Sequence, residues 1–200
     1  MSAFTWPPDS SSQAGSNRPP ATEPVAAAVL VPLFLAPESR DPHVVLTKRR
    51  ADLRRHAGEI SFPGGRKDAE DADLTTTALR EAEEEIGLPR EQVDLLGELP
   101  PTSTFVTNYV IHPFVATIPA GVAWQVSARE VDMVLELPVE ALRKARTKTE
   151  IERRGITFET DAYVLDGHII WGATARILEH LLERLSEPGT DGRLALSAAI

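Results

Sequence analysis

Four glutamates fall within five positions, Glu81, Glu83, Glu84 and Glu85, in the stretch FPGGRKDAEDADLTTTALREAEEEIGL, residues 62–88. Carboxylates at that density suit one chemistry above others: they offer hard oxygen donors to a divalent cation such as Mg2+ or Mn2+. On a helix Glu81, Glu84 and Glu85 stand at i, i+3 and i+4 and share a face, whereas Glu83 projects away from it toward solvent. Like charges at that spacing repel by roughly 0.2–0.5 kcal/mol per pair. Glu84 and Glu85 also occupy the last turn, where the helix dipole disfavours anions. The nearest cation is Arg80. A solvated acidic helix end is the plain alternative, but a cation site explains why two local rules are broken together. Gly64 and Gly65, just upstream, support it, because glycine lets backbone approach a ligand closely and the Gly64 carbonyl there could complete an oxygen shell.

The pattern around the glutamates predicts the elements that must hold them. A helix is expected over about 73–86, capped by Asp73 or Thr75 and stopped by Gly87 and Pro89. Its Leu79, Ala82 and Ile86 form an apolar face. Upstream, VAAAVLVPLFL from Val25 reads as a strand buried on both faces, followed by a strand in HVVLTKRR and a short one near Glu59 to Phe62. Downstream come strands in VDLLGEL, YVIHPFVATI and VDMVLEL, a short helix after Pro138, and a two-stranded hairpin turning at Asp166-Gly167. The last element is an amphipathic helix that turns Ile177, Leu178, Leu181, Leu182 and Leu185 inward. The expected class is α/β, a mixed sheet between helical layers. Residues 1–24, rich in Pro and Ser, read as a flexible lead, 25–187 as the folded domain and 188–200 as a loose tail. Trp171 and Phe114 are expected in the core.

Composition narrows the function. Two hundred residues with 42% apolar content favour one domain with a real core. A net charge of −9 offers no global attraction to nucleic acid or an anionic membrane, so a phosphate-bearing ligand must be held locally. Arg49, Arg54 and Arg55 form a compact basic group upstream of the glycines, and arginine suits bidentate phosphate binding. His56 reads as a structural hydrogen-bonding residue of that loop. There are no cysteines, which removes thiolate metal sites and cysteine nucleophiles, and no G-x-S-x-G supports a serine nucleophile. No apolar run reaches membrane-spanning length and no basic region precedes an apolar stretch at the N-terminus. The cytoplasm is the expected compartment, with a small molecule as ligand, no nucleic acid or membrane partner, and a homodimer left open.

Gly65, Asp71 and the run REAEEEIGL from Arg80 to Leu88 resemble the Nudix box, G-x5-E-x7-R-E-U-x-E-E-x-G-U with U aliphatic. The second half matches at every specified position. In the first half Asp71 replaces Glu, and eight residues instead of seven precede Arg80. LTKRRADLRRHAGEISFPGG, residues 46–65, is similar to the signature that precedes the box in the coenzyme A diphosphatase branch, L-L-T-x-R-[SA]-x3-R-x3-G-x3-F-P-G-G. Thr47, Arg49, Arg54, Gly58, Phe62, Pro63, Gly64 and Gly65 fit in register, while Val45 replaces a Leu and Arg50 stands where Ser or Ala is usual. IIWGATARIL resembles the closing strand and helix of the same branch.

The resemblance, which covers about residues 25–186, implies the Nudix fold, an α/β/α sandwich. It also implies metal-dependent hydrolysis of the diphosphate of coenzyme A or acyl-coenzyme A, with 3′,5′-ADP and a 4′-phosphopantetheine species as products. It makes Glu81 and Glu85 the metal ligands, with Glu84 binding a second ion or orienting the water. Arg80 holds the array by salt bridging and Gly65 belongs to its support. Glu130, ahead of an apolar strand, is the candidate for a further metal ligand or general base, or it is a surface acid. The alternatives are a Nudix hydrolase of another nucleoside diphosphate derivative, such as NADH, ADP-ribose or a modified nucleotide, and a non-catalytic ligand sensor on the same fold. Glu85→Gln should lower turnover roughly 10²-fold or more, the scale of losing one positioned acid–base or electrostatic group. Glu83→Gln should leave steady-state rates near wild type, and equal losses in the two variants would remove the face-specific reading.

Overall fold

The computed structural model describes residues 23–52, 58–104, 108–153 and 155–186. The expectations about most of the N-terminal lead, the C-terminal tail and Arg54, Arg55 and His56 therefore lie outside the described residues.

Val25–Leu35 forms β1, whose uninterrupted apolar sequence is buried from Ala27 onward. Pro42–Arg49 (β2), Ile60–Ser61 (β3) and Gly64–Arg66 (β4) follow, then the helix α1, Leu74–Ile86. Asp73, one of the two cap candidates, is the residue that caps α1: its carboxylate accepts from the Thr76 amide at 2.7 Å. Gly87 ends the helix in the left-handed conformation, φ 68°. After a 3-10 turn at Arg90–Gln92 come β5 (Asp94–Glu98), β6 (Thr102–Ser103), β7 (Tyr109–Thr117), β8 (Val131–Pro138) and α2 (Val139–Ala145). The chain closes with β9 (Arg146–Arg153), β10 (Ile156–Leu165), β11 (His168–Trp171) and α3 (Gly172–Arg184).

The larger sheet is mixed. β1 pairs in parallel with β7 and antiparallel with β2 and β4, while β3 and β8 flank β2. Two apolar clusters cover its faces. Ala28, Leu30, Phe34 and Val45 pack against Ala78, Ala82 and Ile86 of α1. Val31, Leu33, Val44 and Leu46 pack on the other face with Leu142 of α2 and Ile177, Leu178 and Leu181 of α3. The α/β/α class is the observed one.

Three details differ from the sequence reading. The expected hairpin is a three-stranded antiparallel sheet, because β9 joins β10. Its sequence RTKTEIER is polar and mostly exposed, so hydrophobic periodicity gave no signal for it. Gly64 and Gly65, which carry no strand signal in the sequence, belong to a strand: they pair with Val29 and Ala28 of β1. Trp171 is half-buried rather than core, its ring centre 6.0 Å from that of Phe158 at an interplanar angle of 62° and 5.3 Å from the Arg153 guanidinium. Phe114 does pack against the α1-side cluster.

Ile86 is fully buried beside a carboxylate of the candidate site. Ile86→Ala should cost roughly 2–5 kcal/mol, the range for deleting a packed aliphatic side chain, as read by urea denaturation. A loss below about 1 kcal/mol, outside that range, would show that α1 is not anchored to the sheet through this residue.

Candidate active site

The glutamates stand where the C-terminal turn of α1 meets β4 and the end of β2. α1 runs unbroken from Leu74 to Ile86, so Arg80, Glu81, Glu84 and Glu85 share one helical register despite the longer spacing ahead of Arg80. Glu85 is only 4% exposed and lies on the core side of α1 with Ala82 and Ile86. Glu81 is partly buried and Glu84 is exposed. Glu83 points outward and pairs with Arg90 at 2.8 Å, consistent with a surface role.

Gly65 explains itself through Glu81: a Cβ there would fall on the Glu81 carboxylate, so only glycine lets that group sit against β4. A Cβ on Gly64 would strike the backbone of Ala28 and Val29 across the strand pair. The Gly64 amide donates to Glu85 Oε2 at 3.3 Å. The backbone group of Gly64 seen to reach the glutamates is thus its N–H, whereas the carbonyl was the group expected to serve them.

Two arginines organise the carboxylates. Arg80 grips Asp71 with both edges of its fork, Nε to Oδ1 and Nη2 to Oδ2 at 3.0 Å each. Its Nη1 reaches Glu81 at 3.0 Å and Glu84 at 3.2 Å. Asp71 is buried and also accepts from Thr77 Oγ1 at 2.9 Å and the Asp68 amide at 3.0 Å. Hydrogen bonds from Arg80, Asp68 and Thr77 hold its carboxyl far below the usual range, and the Asp71 hydrogen bond raises Arg80 further. The aspartate that replaces the usual glutamate therefore makes a complete set of contacts. The second arginine, Arg49, was expected on a substrate phosphate. Its Nη1 lies 3.5 Å from Glu85 and its Nη2 3.7 Å from Glu130, with Nε buried and unpartnered. Glu130 is thereby brought to the same site from a separate loop.

That loop is fastened to the helix end. The Gln125 and Ser127 amides donate to the Ile86 and Glu85 carbonyls at 3.0 and 2.8 Å, satisfying two of the last carbonyls of α1. Sequence reasoning missed these contacts, since AWQVSARE has no periodic or cap signal that links it to a helix some 40 residues earlier.

Burial, only partly offset by Arg49, raises the Glu85 carboxyl to about 8 from its ordinary 4.5, and the neighbouring Glu81 and Glu130 add to the effect. Burial likewise raises Glu81, against the opposing pull of Arg80. Among the described residues no three acidic or histidine side chains are gathered tightly enough to enclose an ion, since Arg80 draws on Glu81 and Glu84 while Arg49 stands between Glu85 and Glu130. The donor set nonetheless fits a hard divalent cation. Glu81 and Glu85 offer it carboxylate oxygens whose charge is disfavoured by burial, beside a strand with no side chain in the way.

Residues 24–158 match the NUDIX domain family model. The chain belongs to the Nudix family. It is 43% identical over 163 residues to the uncharacterized Nudix hydrolase NudL of Cronobacter sakazakii, covering 80% of this chain and 83% of that protein. NudL of Yersinia pestis is 40% identical over 162 residues, 80% and 79% of the two chains. Among solved structures, a MutT/nudix family protein from Enterococcus faecalis superposes with a TM-score of 0.56 at 16% identity, over 88% of this chain and 70% of that one. The NUDIX domain of Shewanella oneidensis NrtR, solved with ADP ribose, gives 0.53 at 16% identity over 85% and 95%. These two show the shared fold. As a Nudix hydrolase the chain is an enzyme acting on pyrophosphate bonds of nucleoside diphosphate derivatives. No helix among the described residues is long and apolar enough to cross a membrane.

The raised Glu85 gives a pH prediction for the metal-free protein. An acid whose folded pKa exceeds its unfolded value contributes stability that is complete below the unfolded value and is lost as pH rises through the folded one. Stability in EDTA should therefore fall between about pH 4.5 and about pH 8. Glu85→Gln should flatten that slope and be the more stable protein at pH 8.5, as read by denaturation midpoints. Parallel curves for the two proteins would mean that Glu85 ionises freely in the folded state.

Proposed function

We propose that this Nudix hydrolase cleaves the diphosphate of coenzyme A or an acyl derivative, releasing 3′,5′-ADP and 4′-phosphopantetheine or its acyl form. The observation that supports this reading is the register of residues 46–65 with the coenzyme A signature, together with the position of its Arg49 beside Glu85 and Glu130.

Glu81 and Glu85, together with Glu84, would hold Mg2+ or Mn2+, which would neutralise charge on the phosphoryl oxygens and activate water. The chain's own residues do the rest. Glu130 or Glu84 takes the proton of the attacking water, whose oxygen forms a new bond to phosphorus. The bridging P–O bond breaks, and its electron pair leaves with the other phosphate. Arg80 keeps Glu81 and Glu84 in place from its buried anchor on Asp71, so Asp71 acts by positioning. Arg49 balances the charge of Glu85 and Glu130 and is assigned to a substrate phosphate beside them. Arg54 and Arg55 are assigned to the remaining phosphates, the 3′-phosphate included.

A second reading keeps the chemistry and changes the substrate to NADH, ADP-ribose or a modified nucleotide. Arg50, in place of Ser or Ala, and the longer box spacing are the departures that keep it open. A sensor without catalysis is disfavoured by the complete set Glu81, Glu84 and Glu85. Turnover of coenzyme A, acyl-coenzyme A, NADH and ADP-ribose with Mg2+ and with Mn2+ separates these readings. Within the first, Arg54→Ala should lower kcat/KM for coenzyme A roughly 10- to 100-fold, the scale of one charge-assisted hydrogen bond, and should spare dephospho-coenzyme A. Arg49→Ala should lower both substrates alike. Equal losses from Arg54→Ala on both substrates would take the 3′-phosphate away from that residue, and a wild-type enzyme that ignores coenzyme A while cleaving ADP-ribose would overturn the substrate assignment.

A further inference from the structure

Arg50 is one of two places where this chain departs from the signature it resembles, and its side chain makes three hydrogen bonds. Nε and Nη2 donate to the two carboxylate oxygens of Asp52 at 2.9 and 2.7 Å, and Nη1 donates to the Ala128 carbonyl at 2.6 Å. The backbone points to the same place: the Arg50 amide donates to the Glu130 carbonyl at 3.0 Å, and the Arg50 carbonyl accepts from the Gly58 amide at 3.3 Å. The tight turn Ala128–Glu130 is thus gripped at both of its ends by one residue of the β2 exit.

The preceding part of that loop is fixed by α1 through the Ser127 amide on the Glu85 carbonyl, and the Ser127 carbonyl in turn accepts from the Glu130 and Val131 amides at 3.0 and 2.9 Å. The Glu130 carboxylate itself is half exposed, and its 3.7 Å approach to Arg49 is too long for a hydrogen bond. Its direction is therefore set by the backbone of the turn more than by a partner of its own. A guanidinium is the group suited to holding that turn. Its planar fork grips a carboxylate with two N–H groups and still presents a third to a carbonyl. Serine or alanine is too short to reach Ala128, and the ammonium of lysine has no fixed fork. An exposed pair such as Arg50–Asp52 adds little to global stability, so its consequence is local.

We infer that Arg50 is a positioning residue of this active site: braced by Asp52, it clamps the Ala128–Glu130 turn and thereby holds the Glu130 carboxylate beside Arg49 and Glu85. The inference rests on the reading of Glu130 as a member of the site, not on which nucleotide is cleaved.

The test uses the full chain and whichever diphosphate the wild type hydrolyses fastest, with Arg50→Ala, Arg50→Lys, Asp52→Ala, Glu130→Gln and the double variant Arg50→Ala/Glu130→Gln. Arg50→Ala should lower kcat about ten-fold, within the range that a misplacement of around 1 Å can cost, with little change in KM or unfolding midpoint. Asp52→Ala and Arg50→Lys should fall between it and the wild type. The double variant should be no slower than Glu130→Gln alone, because residues that act through one another are not additive. A readout without turnover accompanies these rates: in the metal-free protein, Arg50→Ala should raise deuterium uptake across residues 127–131 and leave residues 74–86 unchanged. Multiplicative losses in the double variant, an unchanged kcat in Arg50→Ala, or unchanged uptake across 127–131 would each overturn the positioning role. A Glu130→Gln enzyme as fast as wild type would remove Glu130 from the site and the inference with it, whereas a failure to cleave coenzyme A would touch the substrate assignment alone.

Discussion

One carboxylate sets the terms for the site. Glu85 is almost entirely enclosed at the end of α1, on the same side of the helix as Ile86, and a buried charge is costly unless it is paired or hydrogen-bonded. Its surroundings answer that cost in three ways. Arg49 approaches from β2, the Gly64 amide approaches from β4, and the Gln125–Glu130 loop satisfies the helix end from which the side chain projects. None of the three cancels it, and the carboxyl is left shifted upward. A group kept in that condition is ready for a stronger counter-charge than an arginine.

Against this stands a second, fully compensated carboxylate. Asp71 is as deeply buried as Glu85, yet it accepts from an arginine fork, a threonine hydroxyl and a backbone amide, and its shift has the opposite sign. The contrast separates support from function within one short stretch. The Asp71–Arg80 pair is a fixed anchor, and Arg80 carries its order outward to Glu81 and Glu84. Shortening the acid from Glu to Asp is compatible with that anchor, because the Asp68 amide ahead of α1, Thr77 in its first turn and Arg80 at its middle together fill the Asp71 carboxylate.

The sheet then brings separate segments to one place. The strand pairs of β1 with β4 and of β2 with β8 put the glycine pair, Arg49 and the residues just before Val131 around the end of α1. Apolar burial on both faces makes β1 and β2 rigid platforms, and Glu130 reaches the site because the loop before β8 is fastened to the helix end and to the exit of β2.

Much of this was legible in the order of the residues. The helix register, the shared face of Glu81 and Glu85, the Asp73 and Gly87 boundaries, the fully apolar β1 and the outward Glu83 all follow from local spacing and cap chemistry, which act over a few residues and need no partner. The depth of Glu85 was not legible, because a charged residue beside Ile86 reads the same whether a loop covers it or not. Nor were the strand role of Gly64 and Gly65, the turn of Arg49 toward carboxylates, or the polar strand β9: each depends on a partner strand or loop supplied from elsewhere in the chain. Arg50 shows the division most plainly. Its type was visible as a departure from a pattern, but its meaning came from the Ala128 carbonyl, 78 residues away in the chain and 2.6 Å away in the fold. Spacing along a chain determines which side chains share a face, while the long-range packing of strands and loops decides which charges are buried together.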